Sequence, residues 1–198
     1  MSLGTPTPGS KADSARGAWH GLRRRWRRFA GRLLFVLSEH EAIGLAPGTA
    51  APWRARLLRH RGVRHGARYY VGRGFWLHDG GKFAFGERCS LGEFARIMDH
   101  GPITLGDDFI AATGLQINSG THDVLTMEPS QVPITVGNRV WCGANVTLVA
   151  GATIGDDVVI GAGSLVRTAI PPGSVAAGVP ARVIRKLERS EAITWHLP

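Results

Sequence analysis

His122 stands in Ser119-Gly-Thr-His-Asp, a stretch of small and polar residues. An imidazole suits one chemistry above others, removal of a proton from an attacking hydroxyl or amine near neutral pH. A lone loop histidine is as a rule a surface residue, so its type alone does not decide the matter. The chain also holds two thiols, Cys89 and Cys142. A covalent intermediate would need one of them exposed with a base at hand. Arg182 and Arg185 follow Gly178-Val-Pro; their planar guanidinium groups can hold phosphate through two parallel hydrogen bonds, or can simply be solvated. Asp99, Glu93 and Asn118 can hydrogen-bond hydroxyl groups. The competing reading of Asp99 is a turn cap beside His100-Gly101-Pro102.

The elements that would position these groups show a six-residue period. Aliphatic or small residues recur at Val136, Cys142, Leu148, Ile154, Ile160 and Val166, and Gly137, Gly143, Gly155 and Gly161 directly follow four of them. A second series precedes each by two residues, through Ile134, Val140, Val146, Ala152, Val158 and Ser164. The register is visible upstream at Phe85, Leu91 and Ile97, shifts by two near Gly101-Pro102, and resumes at Leu105, Ala111 and Ile117. Six residues make one short strand and its turn. Three such units close a triangular coil, and stacked coils bury the repeating position in a column. Glycine after that position is expected to supply a corner conformation that a Cβ disfavours. Both cysteines fall on inward positions and are expected to pack rather than react. The repeat breaks between Asn118 and Pro133, so His122 should sit on a loop beside a rigid wall.

On Pro133-Ile-Thr-Val-Gly-Asn-Arg-Val-Trp-Cys-Gly-Ala-Asn-Val-Thr and Ile170-Pro-Pro-Gly-Ser-Val-Ala-Ala-Gly-Val-Pro-Ala-Arg-Val-Ile, the chain resembles the hexapeptide-repeat acyltransferases over roughly residues 54–187. Within them it is most similar to the sugar and polysaccharide O-acetyltransferases related to maltose and galactoside acetyltransferases. The resemblance implies a mainly β fold, a left-handed parallel β-helix, assembled as a homotrimer with its active site between subunits. It implies acetyl-CoA as acyl donor, no metal, and a sugar or other small hydroxyl compound as acceptor. His122 matches the catalytic histidine by position, and Asp99 in Ile97-Met-Asp-His matches an acidic position that binds sugar hydroxyls. For the donor it carries over to Trp141, Gly143, Ala144, Ala162, Gly163 and the Arg167-Thr168 pair, with Arg182 and Arg185 as phosphate contacts. The family's Thr-Lys pair is replaced by Arg167-Thr168, which removes one lysine from the phosphate side.

Charge divides the chain. The formal net charge is +9, but residues 1–75 hold 15 basic and 3 acidic side chains, while the remainder holds 9 and 12. Residues 1–14 read as a disordered tail and 15–75 as a basic helical segment. The β-helix is expected over 76–181 with a protruding loop at 118–133, followed by a short C-terminal helix and tail over 182–198. Within the basic segment, Trp19, Leu22, Trp26, Phe29 and Leu33 recur at helical steps against an arginine face. Such a helix either lies on an anionic membrane surface through residues 15–37 or packs on its own domain or a neighbouring subunit. Nucleic acid is disfavoured, because the aromatics share one apolar stripe instead of interleaving with the arginines, and they are expected to be buried. Two distant cysteines and no recognisable cleavable signal fit a reducing cytoplasm, with peripheral contact at the inner membrane face. A metal-dependent enzyme of the β-helical carbonic anhydrase type would need three converging ligands, with two histidines five positions apart, and His78, His100 and His122 do not have that spacing. The remaining alternative is a non-enzymatic membrane or nucleic-acid binding module.

Overall fold

The computed structural model describes residues 58–187, together with Trp26 and Phe29. The expected tail at 1–14, most of the basic helical segment and residues 188–198 lie outside the described residues. A helical turn at 58–60 leads into stacked three-strand coils. The first is β1 (Arg64–His65), β2 (Tyr69–Val71) and β3 (Trp76–Leu77). The second is β4 (Phe83–Phe85), β5 (Cys89–Leu91) and β6 (Arg96–Met98), and the third β7 (Ile103–Leu105), β8 (Ile110–Ala111) and β9 (Gln116–Asn118). A hairpin, β10 (Gly120–His122) and β11 (Pro129–Gln131), then leaves the coil. The stack resumes with β12 (Ile134–Val136), β13 (Trp141–Cys142) and β14 (Thr147–Val149), then β15 (Thr153–Ile154), β16 (Val158–Ile160) and β17 (Leu165–Val166). It ends in β18 (Ala169–Ile170), β19 (Ser174–Gly178) and β20 (Ala181–Lys186).

Each strand pairs with its counterpart one coil on, giving three parallel faces: β1-β4-β7-β12-β15-β18, β2-β5-β8-β13-β16-β19 and β3-β6-β9-β14-β17. This three-faced parallel β-helix follows directly from the two inward series. All twelve residues of the six-residue pattern from Ile134 to Val166 are at most 2% exposed. With no long side chain in the columns, backbones of successive coils approach closely, and the aliphatic axis supplies the hydrophobic stabilisation.

The glycines after the column serve a different purpose from the one expected. None of Gly137, Gly143, Gly155 and Gly161 has positive φ. A Cβ on Gly143 would lie 2.7 Å from the nitrogen of Ala162, and one on Gly155 would lie 2.6 Å from the nitrogen of Pro172. They are glycines because the next coil passes over them. Left-handed φ falls two residues later instead, at Arg139, Asn145, Asp157 and Gly163.

Two boundaries also move. The coil begins at Arg64 rather than at residue 76, hidden in the sequence because His65 occupies an aliphatic column position and stacks on Phe85 at 5.4 Å. Residues 181–186 form a strand, not the expected C-terminal helix. After Gly178 the chain turns back antiparallel onto β19, where an open edge and the β-branched Val183 and Ile184 favour pairing over helix.

At the corner between the first two faces, side-chain oxygens climb from coil to coil. Glu87 accepts the amides of Ala67 and Arg68, Asp107 that of Glu87, Asn138 that of Asp107 and Asp156 that of Asn138, at 2.7 to 3.2 Å. The residues beside them pair as Arg88–Asp108 and Arg139–Asp157, each through two N–H···O contacts of 2.5 to 2.7 Å.

Candidate active site

The corner between the third and first faces departs from six-residue spacing in three successive coils. Two extra residues are inserted between Leu77 and Phe85, two between Ile97 and Leu105, and the hairpin follows Asn118. His78, His100 and His122, at equal intervals of 22 residues, all belong to this corner. The rings of His78 and His100 lie 4.5 Å apart between centroids. His100 and His122 line one cleft of about 210 Å³ together with Asn118, Gly120, Thr121, Pro129, Ser130 and Gln131.

His122 is exposed at the end of β10, and its Nδ1 lies 2.8 Å from the carbonyl oxygen of Met127. A carbonyl only accepts, so Nδ1 carries the hydrogen, and in the neutral ring the lone pair falls on Nε2. The carbonyl is itself held in place. The Met127 amide donates to the Asp123 carbonyl at 2.9 Å, and the Asp123 amide donates to Glu128 at 2.9 Å. The Asp123 carboxylate accepts the amides of Leu125 and Thr126 at 2.9 Å, and these bonds hold its carboxyl below the usual aspartate range. The loop root is pinned by Ser119, fully buried, whose hydroxyl accepts the Gly101 amide at 2.8 Å and contacts the Gly101 carbonyl at 2.9 Å.

The acceptor residues expected from sequence separate. Asn118 lines the cleft; its Oδ1 accepts the Gly120 amide at 2.9 Å, leaving its amide hydrogens for a ligand. Asp99 does not line it. Only 1% exposed, it accepts the amides of Asp79, Gly80 and Lys82 at 2.8 to 3.2 Å, so it caps a turn, though that of the preceding coil and not the one beside His100-Gly101-Pro102. Glu93 sits at another corner, 3.6 Å from Arg73. The next residue after Asp99, His100, reaches the cleft instead. Sequence reasoning missed it, along with Gln131 and Lys82, whose ammonium donates to the His100 carbonyl and to Gln131 Oε1, the latter at 3.0 Å. The equal spacing of the three histidines and the repeated widening of one corner were the available signals.

The donor residues divide between two corners. Gly143, Ala144, Ala162 and Gly163 stack where the second face meets the third. There the Gly143 amide donates to Ile160 and that of Gly163 to Ala144, whereas the Ala144 and Ala162 amides take no part in these ladder bonds. Trp141 lies on the adjoining face, 46% exposed. Arg167 and Thr168 are exposed on the corner that also carries the His122 hairpin, and Arg182 and Arg185 are exposed on β20. Within one chain, therefore, the stacked-amide corner and the histidine corner are different edges of the triangle.

Both thiols are closed off as expected. Cys89 and Cys142 have no exposure, and burial pushes them up to about 11 and about 12. The chain does contain two histidines five apart, His60 and His65, but the His65 ring packs on Tyr69 and Phe85. Among the described residues no group of three or more His, Cys, Asp or Glu is placed to hold a metal.

This fold and site define a hexapeptide-repeat transferase, and the chain belongs to that family. Residues 133–168 match the family model described as bacterial transferase hexapeptide (six repeats). The crystal structure of a maltose O-acetyltransferase from Clostridium difficile 630 superposes with a TM-score of 0.73 at 30% identity, covering 85% of this chain and 89% of that one. A hexapeptide-repeat acetyltransferase from Vibrio cholerae O1 biovar eltor, complexed with acetyl-coenzyme A, gives 0.70 at 28% identity over 82% and 87%. Galactoside O-acetyltransferase of Escherichia coli K12 is 39% identical over 128 residues, 59% of this chain. That match spans 63% of the curated relative's length, less than two thirds.

Proposed function

We propose that this protein transfers an acetyl group from acetyl-CoA to a hydroxyl of a sugar or glycan precursor, with His122 as general base. The observation that carries this reading is the His122–Met127 bond, which engages Nδ1 and leaves Nε2 as the ring nitrogen available to a substrate in the cleft. Nε2 takes the proton of the acceptor hydroxyl as its oxygen attacks the thioester carbonyl carbon. A carbon–oxygen bond forms, and a backbone N–H stabilises the oxyanion. The oxyanion collapses, the carbon–sulfur bond breaks, and the imidazolium returns its proton to the departing thiolate. Coenzyme A leaves as the thiol, with no covalent enzyme intermediate, in keeping with two buried cysteines.

The stacked amides of Ala144 and Ala162, the Trp141 ring and the arginines 167, 182 and 185 are the donor surface, with the amides suited to a pantetheine arm. The separation of this surface from His122 supports a homotrimer in which one subunit's amide corner faces the histidine corner of the next. A cytoplasmic protein touching the inner membrane face is the matching location. Trp26 and Phe29, contrary to the expected burial, are 58% and 59% exposed.

A thiol-release assay with acetyl-CoA and a panel of sugars, run alongside light scattering, tests this. His122→Ala should lose about a hundredfold to ten-thousandfold in turnover while remaining trimeric and binding coenzyme A. Near-normal turnover in that variant, or an active monomer of the wild type, overturns the reading.

A further inference from the structure

The acceptor cleft has a sign of charge that its role does not require. None of its lining side chains is a carboxylate. Of the carboxylates next in sequence to lining residues, Asp99 is buried on three backbone amides and Asp123 caps the loop at Leu125 and Thr126, while Glu128 is exposed beside Pro129 without lining the cleft. Cationic or protonatable groups converge instead. The exposed Lys82 ammonium is held at the rim by Gln131 Oε1 at 3.0 Å and by the His100 carbonyl, and the His100 ring, part of the cleft wall, rests against that of His78. Gly120 makes room for this arrangement, since a Cβ there would lie 2.6 Å from His100 Cδ2. An ammonium held by two oxygens retains a third donor hydrogen for a ligand.

We infer that the acceptor is an anionic sugar, one bearing a carboxylate or phosphate that meets Lys82 and His100 while a neighbouring hydroxyl is presented to His122. This rests on the acetyl-transfer reading above and narrows its acceptor class. Charge-assisted hydrogen bonds are the stronger kind, and in a cleft without competing carboxylates they would discriminate against the neutral parent sugar.

The test is kcat/KM for matched pairs with the wild-type protein: galacturonate against galactose, and glucose 6-phosphate against glucose. The expected result is a preference of about tenfold or more for the acid of at least one pair, a charged hydrogen bond being worth at least that much; which pair responds tells carboxylate from phosphate. That preference should shrink as salt is raised. Lys82→Gln should raise KM for the acidic sugar about tenfold more than for its neutral parent, a difference that a purely structural role of Lys82 in pinning the hairpin would not produce. Equal kcat/KM within both pairs, or a Lys82→Gln loss shared equally by acidic and neutral sugars, overturns the inference while leaving acetyl transfer standing. Absence of thiol release with every acceptor overturns both.

Discussion

His122 and Met127, five positions apart, are joined by a ring-to-carbonyl hydrogen bond of 2.8 Å, so the neutral tautomer of the imidazole is set by the backbone of its own loop. Met127 adopts φ +58, a left-handed conformation uncommon for methionine, and the turn around Asp123 holds it there.

On the proposed role of His122, Asp123 is a positioning residue. Asp123→Ala should lower kcat about tenfold with KM for acetyl-CoA unchanged, since it removes hydrogen bonds to charged oxygen but nothing from the donor surface. Asp123→Asn should recover most of the rate, because its amide oxygen can still accept from Leu125 and Thr126. The native pKa lies below the unfolded one, so the turn's contribution is full above the ordinary aspartate range and fades as pH falls through the lowered value. Amide exchange at Leu125 and Thr126 checks this, and protection that persists through strong acid contradicts it.

Two glycines should fail for different reasons. Gly155→Ala puts a methyl 2.6 Å from the Pro172 nitrogen and 2.8 Å from its Cδ, atoms that cannot swing aside, and should cost about 1–3 kcal/mol. Gly163 has open space around it but φ +71, so Gly163→Ala should cost about 1–2 kcal/mol through the backbone alone. Gly163→Asn should cost less than Gly163→Ala, matching Asn145 at φ +57 one coil earlier. Urea unfolding compares the three, and equal losses for Ala and Asn at 163 would contradict the backbone argument.

Thiol reagents should leave the native protein unlabelled and active. Cys89 and Cys142 are raised to about 11 and about 12 by burial, so almost no thiolate is present at pH 8. Mass spectrometry after iodoacetamide should find both modified only in denaturant. Inactivation of the folded protein with stoichiometric labelling would show that a cysteine opens to solvent.

The exposed Trp26–Phe29 pair, edge to face at 5.7 Å, predicts binding to anionic vesicles that weakens with salt, since exposed charges are screened beyond about 8 Å at physiological ionic strength. Co-sedimentation that is equal for neutral and anionic vesicles would point to subunit packing instead.

The coil was legible because its columns are filled by one class of side chain at one interval, from Val136 to Val166 without a gap. His65 broke that class and hid the first coil. His122 was legible through the interruption of the repeat, but its neighbours were not. Asp99 and His100 are adjacent, and only the course of the widened turn decides which faces inward to amides and which faces the cleft. The donor residues are close in sequence, yet a coil turns through a corner every few residues, so Ala162-Gly163 and Arg167-Thr168 end on different edges.

The antiparallel return of β20 has a consequence for self-association. A stack of parallel strands ends in unpaired backbone, the template on which another copy could add and extend into a filament. On the second face that terminal edge is β19, and β20 already occupies it. At the opposite end the Arg61 guanidinium donates to the carbonyls of Leu77 and His78 at 3.0 and 2.8 Å, covering acceptors that the third face would otherwise present. Growth along the axis is thereby blocked on one face at each end, which directs association between copies toward the flanks of the prism.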